Sequence, residues 1–390
     1  MDLSWTPDEQ AFAAEADAWL AANLAEHPPP PGGFATVSDE IAWGRRWQAR
    51  MAEDRWVGLH WPAEVGGRGA SPVQVALFNM AYARARAPQP VNRVGINLAG
   101  PTLLAHGTPD QQQRWLPPLL RADEIWCQLF SEPDAGSDLA ALGTKADRVD
   151  GGWLVGGQKV WTSYAQFSRW GICLARTDPD ASKHRGISFL VVDMATDGIE
   201  IRPLTQITGE AEFNEVFLTD VFVPDDHLIG GLHDGWRVAN TTLAHERGTQ
   251  FPFKEQVVHE VLLDDLLALA TASGRLDDPD LADEVAQAFV DLRVLRLHNL
   301  RTLSKLAKGG DIGPESSWIK LQWTAMTQRL SAAGLAATAD AAPLWSGAAH
   351  LPGDGAWQRQ WLWSMAASIA GGTSEVQRNI IGERILGLPR

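Results

Sequence analysis

The hydrophobic period of this chain switches twice, and that double switch restricts its fold more than any single motif does. Up to about residue 122 the grammar is helical. Thr6-Pro7-Asp8-Glu9 reads as a capping box with proline at the first helical position. Phe12, Ala16, Trp19, Leu20 and Leu24 follow at helical spacing, and Pro28–Pro31 with Gly32-Gly33 ends the run. Ser38 is placed to cap a second helix carrying Ile41, Trp47 and Met51. Ser71-Pro72 opens a third, and Thr108-Pro109-Asp110-Gln111 repeats the capping box ahead of Trp115 and Leu119.

From Trp126 to about Gly231 the pattern becomes short apolar and β-branched runs. They include Trp153–Val155, Lys159–Thr162, Gly171–Ala175, Ile187–Val192, Ile199–Ile201 and Val216–Leu218. Asp150-Gly151-Gly152, Gly156-Gly157 and Asp197-Gly198 mark turns, so this region predicts a small barrel or sandwich. Helical grammar returns at about Gly235. Helices are expected to about Ser273, over Pro279–Lys308, from Pro314 to about Ala341, and from Trp357 to near the end, with breaks at Gly309–Pro314 and Pro343–Asp354. The expected class is α+β, with an N-terminal helical domain at 1–122, a central β domain at 123–232 and a C-terminal helical domain at 233–390. Strands and helices segregate rather than alternate, which argues against a doubly wound dinucleotide fold. No GxGxxG follows a strand, and there is no P-loop, zinc-ligand spacing or internal repeat.

Charge narrows the function classes. Asp+Glu number 48 against 33 Lys+Arg, a formal net charge of −15, which opposes sequence-independent binding to nucleic acid or an anionic membrane. No apolar run approaches the ~20 residues of a membrane span. The acidic start Met1-Asp2-Leu3 lacks the basic region of a signal peptide, so a cytoplasmic location is expected. Two cysteines, Cys127 and Cys173, cannot make a disulfide framework, and no metal site is expected. Tryptophan is in excess, at 18 residues against 12 Phe and two Tyr.

Three polar segments interrupt this pattern. Phe130-Ser131-Glu132-Pro133-Asp134-Ala135-Gly136-Ser137-Asp138 is followed by Gly157-Gln158-Lys159-Val160-Trp161-Thr162-Ser163, and the C-terminal region carries Gly371-Gly372-Thr373-Ser374-Glu375-Val376-Gln377-Arg378. Each alone reads as a loop or a cap. In this order, on a helix–strand–helix frame, they resemble the flavin-dependent acyl-CoA dehydrogenase family. The likeness runs from Trp61-Pro62-Ala63-Glu64-Val65-Gly66-Gly67 through Gly100-Pro101-Thr102-Leu103-Leu104 to the final helix. It implies an N-terminal all-α domain, a central β-barrel domain and a C-terminal four-helix bundle. FAD is then expected between barrel and bundle, with a neighbouring subunit completing its site.

The reaction the resemblance implies removes an α-proton and a β-hydride from an acyl-CoA thioester. A carboxylate in a dry pocket serves as the base, and a flavin must take the hydride because no side chain can. Hydrogen bonds to the thioester oxygen stabilise the developing enolate. By resemblance Trp161 packs on the flavin ring, Thr162 flanks it and Ser163 bonds near N5. Phe130, Ser131, Gly136 and Ser137 lie in the loop touching flavin and the pantetheine arm of the substrate, and Thr373 and Glu375 hold the ribityl–phosphate portion. Thr373 equally fits a helix cap.

The base needs separate argument. Many members of the family carry it immediately before Gly-Thr-Ser, where this chain has Gly371. A second branch carries it on a bundle helix directly before an arginine, which here is the pair Glu246-Arg247. Glu246 is therefore the expected base, with Arg247 on the substrate side and the Gly371 N–H on the thioester oxygen; the plainer reading of a Glu-Arg pair is a solvated helix face. His245, one residue away, points to another side of the helix.

Two segments depart from the family pattern. The stretches 269–275 and 343–355 fit its adenine-side motifs poorly, and Arg275 is the nearest basic candidate. Similar departures occur in actinobacterial dehydrogenases of steroid side-chain breakdown, some of them two-plus-two heterotetramers. The implied partners are an acyl-CoA, an electron-transfer flavoprotein as electron acceptor, and either like subunits or a related second chain. Two other readings fit the same residues: a flavin-poor, non-catalytic partner subunit, and an oxygen-using flavoenzyme of the same fold.

Overall fold

A computed structural model describes residues 4–31, 33–246, 250–310 and 312–389, and only the helical backbone at 246 and 250–252. The expected acidic start at Met1–Leu3, Gly32 of the first helix break, Arg247, and Asp311 of the Gly309–Pro314 break lie outside the described residues.

Capping chemistry starts the N-terminal helices. Before α1 (Pro7–Glu26), the Thr6 N–H donates to Glu9 Oε2 at 2.8 Å and the Glu9 N–H to Thr6 Oγ1 at 3.3 Å. The cap of α2 (Val37–Glu53) is Thr36 rather than Ser38. Thr36 is the last extended residue and its hydroxyl accepts the Asp39 N–H, which leaves Ser38 inside the first turn. α3 (Pro72–Arg84) carries the Ser71/Gln74 capping box. α4 (Gly100–His106) continues from a π-turn at Gly95–Ala99, in which the Gly100 N–H reaches Gly95 O. Pro101 has no N–H for the ordinary ladder, which accounts for a widened turn here. α5 (Pro109–Leu120) starts on the Thr108/Gln111 box.

The middle of the chain forms one eight-stranded sheet. Its strands are β1 (Trp126–Leu129), β2 (Lys145–Val149), β3 (Gly152–Ser163), β4 (Trp170–Arg176), β5 (Ile187–Asp193), β6 (Ile199–Leu204), β7 (Phe213–Pro224) and β8 (Leu228–Ile229). The order is β6-β7-β3-β2-β4-β5-β8, with β1 parallel to β4 and most other pairs antiparallel. Alternate residues of all eight strands meet in a single apolar core that includes Leu129, Ala146, Val155, Cys173, Leu190, Ile199, Val216 and Leu228. The sheet therefore curls around its inner face. Cys127 and Cys173 both lie in that core, and burial pushes their thiols up to about 12 and about 11.

After β8 come α6 (Gly235–Glu246), α7 (Gln250–Ala272), α8 (Pro279–Leu306) and α9 (Glu315–Ala337). Asp278 caps α8 by accepting the Asp280 N–H. The expected final helix is not continuous. α10 (Ala356–Ser364) tightens into a 3-10 turn at Met365–Ser368, the chain turns at Gly371-Gly372, and α11 (Ser374–Ile380) restarts on a Thr373 cap.

The described residues group into two compact units. One comprises 1–25, 71–87 and 247–390; the other comprises 26–70 and 88–246. So α1 and α3 group with the C-terminal helices, while α2, α4, α5 and α6 group with the sheet. In the helical unit α3 packs along α7, with Arg86 bidentate on Asp265 at 2.7 and 2.9 Å. Its core joins Leu263, Leu266, Leu292, Leu295, Trp323, Met326 and Trp357. Gly334 of α9 admits the Trp357 ring so closely that a Cβ there would lie 1.9 Å from it. In the sheet unit a buried polar node ties α2, α5 and β1. Gln48 and Asn92 bond the carbonyls of Leu119, Leu120 and Glu124, and Asn92 accepts the Trp126 N–H.

Candidate active site

Strand β3 is irregular where it carries Trp161. Its pairing with β7 runs Lys159↔Val216 and then Thr162↔Asn214, so Val160 and Trp161 oppose the single residue Glu215. This is a β-bulge. Trp161 takes a left-handed φ of 61°, unusual for a bulky side chain, and is 61% exposed, its ring meeting that of Phe213 edge-on at 6.1 Å. A large apolar ring held in solvent on strained backbone is unfavourable on both counts, and such outliers mark sites where the local conformation serves a ligand. Beside it Thr162 is fully buried, yet among the described residues its Oγ1 has no hydrogen-bond partner. Ser163 is half-buried and closes the strand. Because Trp161 is mostly exposed, Trp161→Gly is expected to leave the thermal midpoint within a few degrees of wild type. A buried Trp47→Ala should cost about 3–5 kcal/mol. Differential scanning calorimetry of the two variants checks this.

The 130–138 loop is fastened to the same strand. Ser131 O accepts the Val160 N–H at 2.9 Å, taking the place that β7 leaves at the bulge. Phe130 is buried edge-on against Phe189. The main fastening is an ion pair that the sequence motifs contain without announcing. Lys159, fully buried, spends its three ammonium protons on Glu132 Oε1 (2.8 Å), Leu174 O (2.8 Å) and Phe130 O (3.2 Å). Glu132 also accepts the N–H groups of Gly143 and Thr144. Burial alone would push its carboxyl up, but the Lys159 charge and these hydrogen bonds prevail and hold it below the usual range. A readable signal existed: Lys159 occupies an inward position of an alternating strand, where a lysine needs a partner. The tight turn Glu132–Ala135 then presents Gly136 and Ser137 in solvent, with Asp138 on Lys183.

Glu246 is the closing residue of α6, and the structure gives its backbone position; Arg247 lies outside the described residues. α6 is locked in register by two bonds to α4. Thr242 Oγ1 meets Thr102 Oγ1 at 2.8 Å in full burial, and Thr241 Oγ1 meets His106 Nε2 at 2.8 Å. Thr242 stands one turn before Glu246, on the same helical face. Nearby His60 is drawn down to about 4, by burial first and then by His245, so it is neutral at pH 7.

In the helical unit Gly371 and Gly372 both have positive φ, 66° and 91°. Thr373 caps α11 by accepting the Val376 N–H, so the cap reading of this residue holds. Glu375 is exposed and pairs with Arg378 at 3.1 Å. Arg275 is engaged with Asp278 at 2.8 Å at the start of α8. The turn that carries Gly371 is anchored through Ala367 O, which accepts from Lys320 Nζ at 2.7 Å and Thr324 Oγ1 at 3.0 Å. The structure thus brings Phe130 and Ser131 to the Trp161–Ser163 bulge, and sets Gly371, Thr373 and Glu375 along one turn. Among the described residues no His/Cys/Asp/Glu cluster could hold a metal, and no helix is long and apolar enough to cross a membrane.

Family models match nearly the whole chain: the acyl-CoA dehydrogenase N-terminal domain at residues 6–123, its middle domain at 127–221 and its C-terminal domain at 233–386. The chain belongs to the acyl-CoA dehydrogenase family. It is 41% identical over 387 residues to acyl-CoA dehydrogenase IpdE1 of Mycobacterium tuberculosis, covering 98% of each chain. The solved Tcur3481-Tcur3483 steroid ACAD superposes with a TM-score of 0.86 at 26% identity, covering all of both chains. The ChsE4-ChsE5 complex from Mycobacterium tuberculosis does so at 0.84 and 30%, again covering both fully. As an acyl-CoA dehydrogenase the chain has the expected α+β organisation, helical, β and helical in turn.

Proposed function

We propose that this enzyme oxidises a bulky, steroid-derived acyl-CoA thioester to the trans-2-enoyl-CoA, with FAD as cofactor and Glu246 as base. The observation that carries the reading is the Trp161 bulge. An exposed indole on strained backbone, next to a buried hydroxyl that lacks a partner among the described residues, fits a planar polar ring system such as a flavin. Phe130, Ser131, Thr162 and Ser163 would hold that cofactor beside Trp161, and Thr373 and Glu375 its ribityl–phosphate chain. Gly136 and Ser137 would meet the pantetheine arm, and Arg247 would lie on the substrate side.

FAD, when bound, supplies the hydride acceptor that no side chain provides. The chain's own part is proton transfer and charge stabilisation. Glu246 takes the α-proton, and the Gly371 N–H donates to the thioester oxygen as enolate charge develops.

The steroid assignment is supported by the likeness to the Tcur3481-Tcur3483 steroid ACAD, and a two-plus-two heteromer by the paired names of the two solved complexes. The engagement of Arg275 with Asp278 favours the heteromer further, because it leaves that guanidinium less available for an adenine-side phosphate. An electron-transfer flavoprotein would reoxidise the flavin. The test is anaerobic mixing of the purified protein with straight-chain, branched and steroid CoA thioesters. Stoichiometric flavin bleached fastest by the steroid thioester is expected. A colourless protein that gains flavin only with a second chain would favour the partner-subunit reading, and rapid reoxidation by air the oxidase reading.

A further inference from the structure

Tyr164 follows Ser163 directly and is strained in a way that the functional reading has not used. Its φ of 53° and ψ of 28° are left-handed, a region that glycine or asparagine enters easily and an aromatic residue does not. With Trp161 at 61°, Thr162 and Ser163 lie between two left-handed residues. Ser163 is also the last residue of β3, paired with Phe213 at the end of the ladder. Such ends fray unless something beyond them holds.

The Tyr164 side chain supplies the hold. Its ring packs on an apolar group made by Ile41 of α2, Val91, Ala122 and Ile125. Arg93 lies over the ring at 5.5 Å, and its Nη2 donates to the phenolic oxygen at 3.3 Å. Burial, which Arg93 only partly offsets, pushes the phenol up to about 12, so it stays neutral at pH 7. The backbone is gripped at the same residue. Its N–H donates to Glu212 O at 2.8 Å, and its carbonyl accepts the Phe167 N–H at 3.0 Å and the Ser168 hydroxyl at 2.9 Å. On the other side of Ser163, the fully buried Asn214 donates from Nδ2 to Thr162 O at 3.0 Å. The left-handed turn breaks the strand immediately after Ser163, and the anchored ring holds that turn against its own preference.

We infer that Tyr164 is a positioning residue: its ring, seated on the Ile41–Ile125 group beneath Arg93, holds the end of β3 in the strained turn and so fixes Ser163 for the flavin. This rests on the reading of the chain as an FAD enzyme with Ser163 at the ring system. A hydroxyl set in place beforehand does not have to be ordered when the flavin binds or its charge changes. Tyr164 itself touches neither flavin nor substrate.

Wild type, Tyr164→Asn, Tyr164→Phe, Ser163→Ala and the double variant Ser163→Ala/Tyr164→Asn are loaded with FAD labelled with 15N at N5. Asparagine accepts the left-handed turn but has no ring to anchor. The N5 resonance of Tyr164→Asn is expected to move toward that of Ser163→Ala. Its anaerobic flavin reduction, by the thioester that bleaches wild type fastest, should slow about 10-fold or more with KM little changed. Tyr164→Phe, which restores the ring without the hydroxyl, should recover most of both, and the double variant should match Ser163→Ala alone. With FAD bound, a wild-type N5 resonance and rate in Tyr164→Asn overturn this inference alone. So do an equal loss in Tyr164→Phe, and a double variant whose losses simply add. Failure of wild type to bind FAD, or a Ser163→Ala resonance that does not move, overturns the functional reading of Ser163 and this inference together. If Tyr164→Asn does not fold, Ile41→Ala loosens the seat of the ring from α2 and carries the same comparison.

Discussion

Glu246→Gln is expected to keep its flavin and to lose turnover by about 10³-fold or more. The substitution keeps the shape of the side chain and removes its capacity to accept a proton. The supporting frame should survive it, because α6 is set in register by Thr242 on Thr102 and Thr241 on His106, neither of which involves the carboxylate. KM should change far less than kcat, since the lost interaction belongs to the transition state rather than to substrate binding. The measurement is anaerobic flavin reduction by the best thioester of the panel. Wild-type reduction rates in Glu246→Gln would sink the assignment and return the Glu246-Arg247 pair to a solvated helix face.

The second large effect concerns stability. Lys159→Met is expected to cost about 3–5 kcal/mol, because it strands the Glu132 carboxylate in a nearly closed environment and frees two buried carbonyls. Urea unfolding reads the loss. The double variant Lys159→Met/Glu132→Leu should recover part of it, the sign of a pairwise coupling rather than of two separate packing defects. The pH dependence has a definite sign. The folded pKa of Glu132 is depressed, so its contribution is present above the ordinary value near 4.5 and is lost as pH falls through the lower folded value. Glu132→Gln should therefore be less stable at pH 7 and flatten the acid side of the stability curve. The loop that carries Ser131 should loosen at the same time, so flavin affinity is expected to fall with stability in these variants.

Much of the architecture was legible where the determinants are local. The caps at Thr6, Ser71 and Thr108 are written in four consecutive residues each, and the strands around Ile172 and Val191 in their β-branched runs. Ser38 misled because Thr36 offers an equivalent hydroxyl two residues earlier, and only the backbone conformation separates them. The break before Gly371 was hidden because its causes are long-range. Lys320, Thr324 and Gln377 each reach a backbone carbonyl, and a carbonyl leaves no mark in a sequence. The grouping of α1 and α3 with the C-terminal helices is invisible for the same reason, since contacts such as Arg86 on Asp265 span 179 positions.

At the candidate site, Trp161 was recognisable by its place in a motif, but not its bulge or its exposure. Those depend on β7 being one residue short across the pair. Glu132 and Lys159 stood in plain view in two of the motifs. Their partnership becomes visible only once the alternation of β3 is followed inward to a lysine.

The two cysteines have a practical use that follows from their burial. Both thiols sit inside the curled sheet with elevated pKa values, and the C-terminal helices contain no other. An alkylating reagent can reach them only when the sheet opens, so the labelling rate in native buffer is a clock for opening of the β core alone. Run with and without flavin, that clock separates rigidity gained in the sheet from rigidity gained among the helices, which ordinary melting curves add together.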